Sequence, residues 1–383
     1  VMKKYFLSTL FFFMVHLNSN AQLNLSHLEN HIELNDSNKE ALHLDIFYNS
    51  FFKNNEYFDS IANGYTLFGT QLQTSLAYVL HPNIRLQAGF YARKDFGNDG
   101  FHTIQPTFTI KLQKNGYGLL MGNLEGNIAH RLVEPLYNYE RYMLQHTEQG
   151  LQLKINNPKL WSDTWLDWEV QQYAGSPFQE QFTFGHSSQI NVFSNKKVQL
   201  QVPVQVVVSH RGGQIDIDTT SLQTIANMST GFSVSLHAPT KWLQKITSEN
   251  YFLIFKDASP TKKMPFASGT GLFLNVRAET IYPLSAVLSY WSGREYISTR
   301  GGDLFSSAAT QYGAKGYTEA KRDLLFLRLH YNKQLLDGFF ADVRFEPYYN
   351  IQSTKLNYSY SLFLTYKRDV KLLSLTNGKR VKK

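Results

Sequence analysis

The chain has 383 residues, with 38 Lys and Arg against 30 Asp and Glu, which gives a formal net charge of +8. The excess lies at the two ends: Lys3 and Lys4 contribute +2, and residues 367–383 contribute +6, seven basic residues less Asp369, so the body is neutral. A nucleic-acid-binding protein carries its basic residues on its folded face, so this distribution argues against nucleic acid as a partner. The absence of cysteine excludes disulfides, thiolate-bound metals and thiol catalysis.

The first residues predict a secretory signal peptide. Two lysines precede an apolar run over residues 5–17, and the small residues Ser19 and Ala21 fit a signal-peptidase cleavage site. We therefore expect residues 1–21 to be removed and residues 22–40 to form an N-terminal periplasmic segment.

The rest of the chain repeats one pattern, in which stretches of 10 to 16 residues alternate apolar and polar side chains. Alternation with a period of two places apolar side chains on one face of a strand and polar side chains on the other. In the stretch over residues 197–211, for example, Val204 falls on the apolar face and Gln205 on the polar face. Sixteen such stretches are present, the fifth over residues 117–127 and the sixth over residues 147–156, and together they predict an all-β fold.

The connections between these stretches alternate between tight turns, such as Asn115-Gly116, and long loops, such as residues 128–146. This layout is typical of an outer-membrane barrel, and the stretches are long enough for a tilted membrane strand of about 9–11 residues. We predict a closed antiparallel transmembrane β-barrel over residues 41–370, followed by a basic C-terminal tail over residues 371–383. Sixteen strands are expected, with 14 or 18 as alternatives, and a barrel of this size leaves an aqueous lumen. A soluble β-domain is the competing fold.

In these features the chain resembles the outer-membrane porins of Gram-negative bacteria. The resemblance covers residues 41–366 and rests on architecture rather than on a sequence motif. It departs from the porin pattern at the end, because porin chains typically stop at an aromatic residue of the last strand, whereas this chain continues past Tyr366. The resemblance implies an outer-membrane location, contact with outer-membrane lipid and with barrel-assembly machinery, and transport of small polar solutes. A non-transport barrel acting in secretion, adhesion or envelope assembly, with a homo-oligomer or an envelope protein as partner, is the alternative.

Charged side chains on the polar faces predict the character of the pore. The pore-lining candidates comprise seven basic and seven acidic residues: Arg85, Arg93, Lys111, Lys154, Arg277, Arg328, Arg344, Glu125, Glu148, Asp167, Glu169, Glu279, Asp342 and Glu346. Selective channels carry rings of one sign of charge, so the balance favours passive diffusion of neutral solutes. Tyr91 and Phe273 are candidate stacking surfaces for sugar rings.

The long loop over residues 128–146 is expected to fold inward and narrow the pore, because it is aromatic, charged and contains no glycine. A surface-binding loop is the alternative. The constriction candidates within it are Arg131, Glu134, Tyr137, Tyr139, Glu140 and Arg141.

Sequence patterns that indicate catalysis are weaker than those that indicate a barrel. The pairs His186-Ser187 and Ser209-His210 are the candidate Ser/His pairs for a lipid hydrolase. Adjacent residues of a strand point to opposite faces, however, so neither pair works by itself. The twelve histidines show no metal-ligand spacing such as HExxH. We therefore expect no catalytic residue, no metal and no cofactor, and a protein that is not an enzyme.

Overall fold

The computed structural model describes residues 28, 29, 32, 34 and 40–374. The predicted signal peptide with its cleavage site, and the tail beyond Ser374, lie outside the described residues. Sixteen antiparallel strands form one closed barrel, which is completed where β1 pairs with β16. The predicted fold class and strand number are confirmed. A closed barrel leaves no unpaired edge, which is the condition for crossing a membrane with strands.

The strands in chain order are β1 (Ala41–Glu56), β2 (Tyr65–His81), β3 (Ile84–Asp95), β4 (Thr103–Lys114), β5 (Tyr117–Asn123), β6 (Gln149–Asn156), β7 (Leu160–Val170), β8 (Gln181–Ser194), β9 (Val198–Arg211), β10 (Gln223–His237), β11 (Leu243–Asp257), β12 (Ser268–Thr280), β13 (Leu284–Arg294), β14 (Lys321–Leu336), β15 (Phe339–Asn350) and β16 (Lys355–Ser374). The helical segments are one α-helix, α1 (Arg141–Leu144), and 3-10 turns at Asn127–His130, Asp303–Phe305 and Tyr312–Ala314. Within the described part of the chain, no helix has the length and apolar character needed to span a membrane.

The tight turns and the long loops lie at opposite ends of the barrel. Between β4 and β5, Asn115 and Gly116 have φ values of 52° and 83°, the two left-handed residues that a type I′ hairpin turn requires. The two longest loops connect β5 to β6 (residues 124–148, named L3) and β13 to β14 (residues 295–320, named L7). Short turns face the periplasm in such barrels, so L3 and L7 belong to the extracellular end.

The two faces of the wall follow the alternation in the sequence. On β9, Gln205 points inward and is buried, whereas Val204 lies on the outer face. At the extracellular end of the outer face, the rings of Trp168 and Phe182 stack with centroids 5.3 Å apart, and His210 lies 4.9 Å from Phe182. Aromatic rings at this level form the interfacial girdle of an outer-membrane barrel, so the apolar outer face contacts lipid and the protein is an outer-membrane barrel.

Side chains of L3 and L7 occupy the lumen, where the sequence predicts water. Phe305 of L7 packs against Phe273 and Trp291 of the wall, with ring centroids 5.4 Å from each. Tyr296 of L7 donates a hydrogen bond to the carbonyl of Pro135 in L3 at 3.0 Å. All these rings are buried. L3 and L7 therefore build a packed core inside the barrel, and the expectation of an open aqueous lumen does not hold for the described residues.

Residues near both ends of the described chain belong to the barrel, which the sequence does not predict. Leu28 is buried against Phe47 and Phe363, and the amide of Ile32 donates to Glu125 at 3.0 Å. Leu28 and Ile32 of the N-terminal segment thus lie within the barrel. At the other end, β16 continues to Ser374, so the strand takes up the first residues of the predicted tail.

The wall has a gap on the side where L3 enters. β5 and β6 have only 7 and 8 residues. β5 pairs with residues 109–114 of β4, so residues 103–108 pair with β3 alone. On the far side, residues 168–170 of β7 extend beyond their pairing with β6 and pair with β8 alone. We name this two-strand gap in the extracellular half the wall notch.

Candidate functional site

The predicted pore-lining residues all lie on the inner side of the barrel or at its rim. Most are buried, namely Arg85, Arg93, Lys111, Glu125, Glu148, Asp167, Arg277, Arg328, Asp342, Arg344 and Glu346, and the rest, Lys154, Glu169 and Glu279, are half-buried. They are paired rather than free: Lys111 and Lys154 bind Glu125 at 2.7 and 2.6 Å. Their role in passing solutes stays a prediction.

Lys53 is a buried ion-pair partner on the inner wall that is not among the predicted pore-lining residues. Lys53 of β1 is buried and lies 3.4 Å from Glu140 of L3 and 3.4 Å from Glu346 of β15. Its ammonium also donates to the hydroxyl of Tyr139. The period-two pattern of β1 places Lys53 on the inner face with Phe51, which is the signal that could have identified it.

The predicted constriction residues lie inside the barrel. Glu134 accepts a hydrogen bond from Arg328 at 2.5 Å, and burial raises the pKa of Glu134 against the opposing effect of that guanidinium. Glu140 accepts from Asn55 at 3.2 Å, and the Tyr139 hydroxyl donates to Glu346 at 3.0 Å. Of the two arginines, Arg131 lies 4.3 Å over Trp161, and Arg141 lies 5.2 Å from Tyr137. L3 therefore folds inward, as the sequence predicts.

His130 is the anchor of L3. Its Nε2 lies 2.6 Å from Glu148 and its Nδ1 lies 3.0 Å from Asp163, while its ring stacks on Trp165 with centroids 3.5 Å apart. Burial lowers the pKa of His130, but the two carboxylates outweigh burial and raise it to about 9. The ring is therefore a cation at neutral pH. A cation cannot accept a proton, so His130 holds L3 in place and is unsuited to act as a general base.

The candidate stacking surfaces are also occupied by the protein itself. Phe273 packs on Phe305 and Trp291, and Tyr91 stacks on His146 of L3 with centroids 5.2 Å apart. Both Tyr91 and Phe273 are buried. Phe273 therefore offers no face to a solute, and its expected sugar-stacking role is wrong for the closed barrel. Tyr91 also lines a cavity between L3 and the wall, so its role stays a prediction.

The outer wall carries a different arrangement across β7 and β8. His186 and Ser188 are two residues apart on β8, share the lipid face and lie 3.2 Å apart between Nε2 and Oγ. On β7, the hydroxyl of Thr164 lies 2.8 Å from Nδ1 of His186. A hydroxyl, an imidazole and a third group that orients the imidazole form the constellation of nucleophilic ester hydrolysis. We name these three residues the outer-wall triad.

The triad does not appear among adjacent Ser/His pairs, because its histidine and serine are two residues apart. Residues i and i+1 of a strand point to opposite faces, whereas i and i+2 share a face. His186 therefore contacts Ser188 and not Ser187, which points inward and is buried. His210, the other candidate, contacts Thr224 at 2.8 Å and the carbonyl of Gly212 at 2.9 Å instead of a serine. The period of two, applied to i and i+2, would have identified the pair.

Solved structures confirm the porin-like fold. OprD of Pseudomonas aeruginosa aligns with a TM-score of 0.53 and 10% identity over 89% of this chain and 98% of that chain. A loop-deletion mutant of OmpT of Vibrio cholerae aligns with a TM-score of 0.52 and 9% identity over 86% of this chain and 100% of that chain. At such identities the likeness concerns the fold alone. A comparison with curated protein sequences finds no match.

A family profile described as lipid A 3'-O-deacylase-type matches residues 34–375. The family is described by an enzyme activity, so the expectation that the protein is not an enzyme is contradicted. The expectation rested on adjacent Ser/His pairs alone, a criterion that does not detect the contacts of the outer-wall triad. Because the match spans most of the sequence, the chain belongs to the lipid A 3'-O-deacylase-type family.

Proposed function

We propose that this protein hydrolyses an acyl ester of a glycolipid of the lipid A type in the outer leaflet, with the outer-wall triad as its catalytic group. The observation that carries the proposal is the hydrogen-bonded series from Thr164 through His186 to Ser188 on the lipid face. Membership of a family described by lipid A deacylation supplies the substrate class. Ser188 is the nucleophile, His186 the general base and Thr164 the residue that orients the imidazole.

The depth of the triad in the membrane suits an acyl ester. Phe182 belongs to the aromatic girdle, and His186 and Ser188 lie four and six residues below it on the same strand. For a strand with a rise of about 3.3 Å per residue, tilted by about 45°, these steps correspond to roughly 9 and 14 Å below the girdle. Half of the hydrocarbon core measures about 15 Å, so both residues lie in the outer leaflet.

With this triad, ester hydrolysis proceeds in two steps, acylation and deacylation of Ser188. The Ser188 hydroxyl attacks the ester carbonyl and transfers its proton to Nε2 of His186, and the same proton then goes to the departing alkoxide as the carbon–oxygen bond breaks. Water next attacks the acyl-serine, passes its proton to His186, and releases a fatty acid while Ser188 regains its hydrogen. During both steps the Nδ1 proton of His186 is donated to Thr164, which fixes the tautomer.

The Ser188 hydroxyl must reorient before it reacts. Its hydroxyl also lies within hydrogen-bonding distance of the carbonyl of Val204, at 3.3 Å, and the side chain is only 5% exposed. The hydroxyl must therefore turn from Val204 to His186 as the ester approaches.

The test uses the full-length barrel in mixed micelles with purified lipid A, and mass spectrometry of the released fatty acids. Ser188→Ala should lower the rate by about 10³-fold or more. Ser50→Ala is the matched control, because Ser50 also faces outward and bonds to Tyr48 and Thr70 but contacts no histidine. A Ser188→Ala protein that releases fatty acid at the wild-type rate would refute the proposal.

A second candidate function is the passive diffusion of small neutral solutes, which the balanced charge of the inner wall favours. L3 and L7 fill the lumen, so diffusion requires L3 to leave it. Deleting residues 136–143 should then raise single-channel conductance in a planar bilayer while leaving the barrel assembled. Unchanged conductance in the deletion variant would refute diffusion through the lumen.

A further inference from the structure

We propose that the wall notch and the surface beneath it form a two-part binding site for an outer-leaflet glycolipid, with a polar pocket for the sugar headgroup and an apolar groove for an acyl chain. The inference deepens the proposed function, on which it rests for the class of lipid, and it concerns residues outside the outer-wall triad. The notch is open because β5 and β6 end early, so a lipid reaches it sideways from the membrane.

The pocket lies between the L3 helix and the wall at the level of the notch, and its volume is about 330 Å³. Arg141 of L3, Gln105 of β4 and Asp167 of β7 line it from three sides. Tyr91 and Trp168 add aromatic surface at its edge. Guanidinium, amide and carboxylate groups beside aromatic rings match the hydroxyl and acidic groups of a sugar headgroup.

Charge pairing leaves part of this pocket available to a ligand. Arg93 is engaged by Asp95 at 2.7 Å, and Glu169 is engaged by Arg300. Arg141, by contrast, lies over a tyrosine ring and is half-buried. Asp167 accepts one hydrogen bond from the amide of Gln149 at 2.9 Å, and a carboxylate has further acceptor sites. The Nε of Arg141 and the remaining oxygen positions of Asp167 thus keep hydrogen-bonding capacity for a polar headgroup.

The groove begins directly below the notch on the outer face and has a volume of about 710 Å³, within the range of about 300–1,000 Å³ for small-molecule sites. Its floor contains Ala88, Gly122 and Gly150, and its walls contain Phe108 and Met121. A Cβ atom at Gly122 or Gly150 would lie 2.0 Å from a backbone carbonyl oxygen, so close strand approach keeps the floor free of side chains.

An acyl chain is the occupant because the groove lies on the lipid face, surrounded by exposed apolar residues, and is continuous with the notch. Phe108 and Met121, which border both features, are 63% and 65% exposed. Lipid tails are as apolar as these side chains, so the groove gains nothing from the hydrophobic effect. Its role is to orient one chain beside the notch, while β7 and β8 on the opposite edge carry the triad toward another chain of the same lipid.

The experiment uses the full-length barrel in phosphatidylethanolamine vesicles that contain lipid A with a photoreactive diazirine on its acyl chains. Irradiation followed by peptide mapping should place most cross-links on β3 to β5. Ala88→Trp fills the groove and Gln149→Trp fills the pocket, and each should reduce this labelling by about tenfold. The matched controls are Ala286→Trp on the lipid face of β13 and Gln223→Trp at the first position of β10, and neither should change it.

Labelling spread evenly around the barrel would overturn the inference, and so would labelling of β3 to β5 that Gln149→Trp leaves intact. Protection by free maltose equal to that by unlabelled lipid A would identify a soluble saccharide as the ligand and overturn the lipid assignment. Cross-linking needs no catalysis and is also measured in Ser188→Ala. Localised labelling without ester hydrolysis would therefore refute the proposed function alone, and hydrolysis with even labelling would refute this inference alone.

Discussion

His130 of L3 and His186 of β8 show how differently the inner and outer sides of the barrel wall use a histidine side chain. Inside, His130 lies between the carboxylates of Glu148 and Asp163 and is buried against Trp165. Outside, His186 lies between the hydroxyls of Thr164 and Ser188. Carboxylates on both nitrogens make the first ring a fixed cation, whereas hydroxyls on both nitrogens leave the second able to relay a proton. The inner side is built for packing, and the outer side is able to support chemistry.

The comparison predicts its largest effect on catalysis. His186→Ala should lower the rate of fatty-acid release from lipid A by about 10³-fold or more, because the serine loses its base. His130→Ala should change the rate only severalfold, since the ring contacts no residue of the outer wall triad. Equal losses in both variants, measured on folded barrels, would remove the distinction between the two sides.

Stability should show the reverse order, with a larger loss at the inner His130 than at His210 on the outer face. His130→Ala leaves Glu148 and Asp163 buried without their shared cation, and breaking a buried pair in this way costs about 3–5 kcal/mol. The measurement is urea unfolding in lipid vesicles, followed by gel mobility. His210→Ala, which removes hydrogen bonds to Thr224 and Gly212 on the outer face, should cost about 1 kcal/mol. A His130→Ala barrel as stable as the wild type would contradict the role of His130 as anchor.

Charge on the lipid face should be costly wherever it is introduced. Val204→Arg should lower the free energy of unfolding by about 2–4 kcal/mol near the midplane. Gln205 on the inner face is unsuitable as a control, because it accepts a hydrogen bond from the backbone amide of Val133 at 2.9 Å and donates one to the carbonyl of Arg131 at 3.0 Å. Gln199→Arg, half-buried on the inner face, is the better control. If Val204→Arg and Gln199→Arg unfold alike, the orientation of β9 is wrong.

The ion pairs of His130 that anchor L3 should weaken at alkaline pH. The pKa of His130 in the folded state is about 9, above the value of about 6.5 for a free imidazole. The protonated His130 therefore makes its full contribution to the free energy of unfolding below about pH 6.5. This contribution is lost as the pH rises through 9, with about 2 kcal/mol lost between pH 7 and pH 9. Hydrogen exchange of L3 amides should accelerate over this interval in the wild type and not in His130→Ala. Exchange that is independent of pH after correction for the intrinsic rate would contradict the cationic anchor.

The sequence predicts the strands of the barrel wall better than the packing of the loops inside the lumen. Alternation fixes which face of β9 contains Val204 and which contains Gln205, because the side-chain period of a strand is two. The sequence also places β5 over residues 117–127 and β6 over residues 147–156, whereas the observed strands are Tyr117–Asn123 and Gln149–Asn156. The difference matters, because these shortened ends create the wall notch.

The packed lumen could not be predicted from local patterns. Phe273 contacts Phe305, and Tyr296 contacts Pro135 across 161 residues of sequence. Such contacts depend on where L3 and L7 lie once the barrel has closed, which no periodicity encodes. The outer-wall triad is intermediate: its Ser/His pair follows from the period of two, but its contact with Thr164 depends on the register between β7 and β8.

The most direct test of the central claim is to ask whether Ser188 is an activated nucleophile. The full-length barrel is incubated with a fluorophosphonate that bears a long alkyl chain, and the modified residue is identified by peptide mass spectrometry. If Ser188 is the nucleophile, one adduct forms on Ser188 and disappears in His186→Ala, while Ser50 and Ser187 remain unmodified. An unmodified Ser188, or equal modification of Ser188 in the presence and absence of His186, would contradict it.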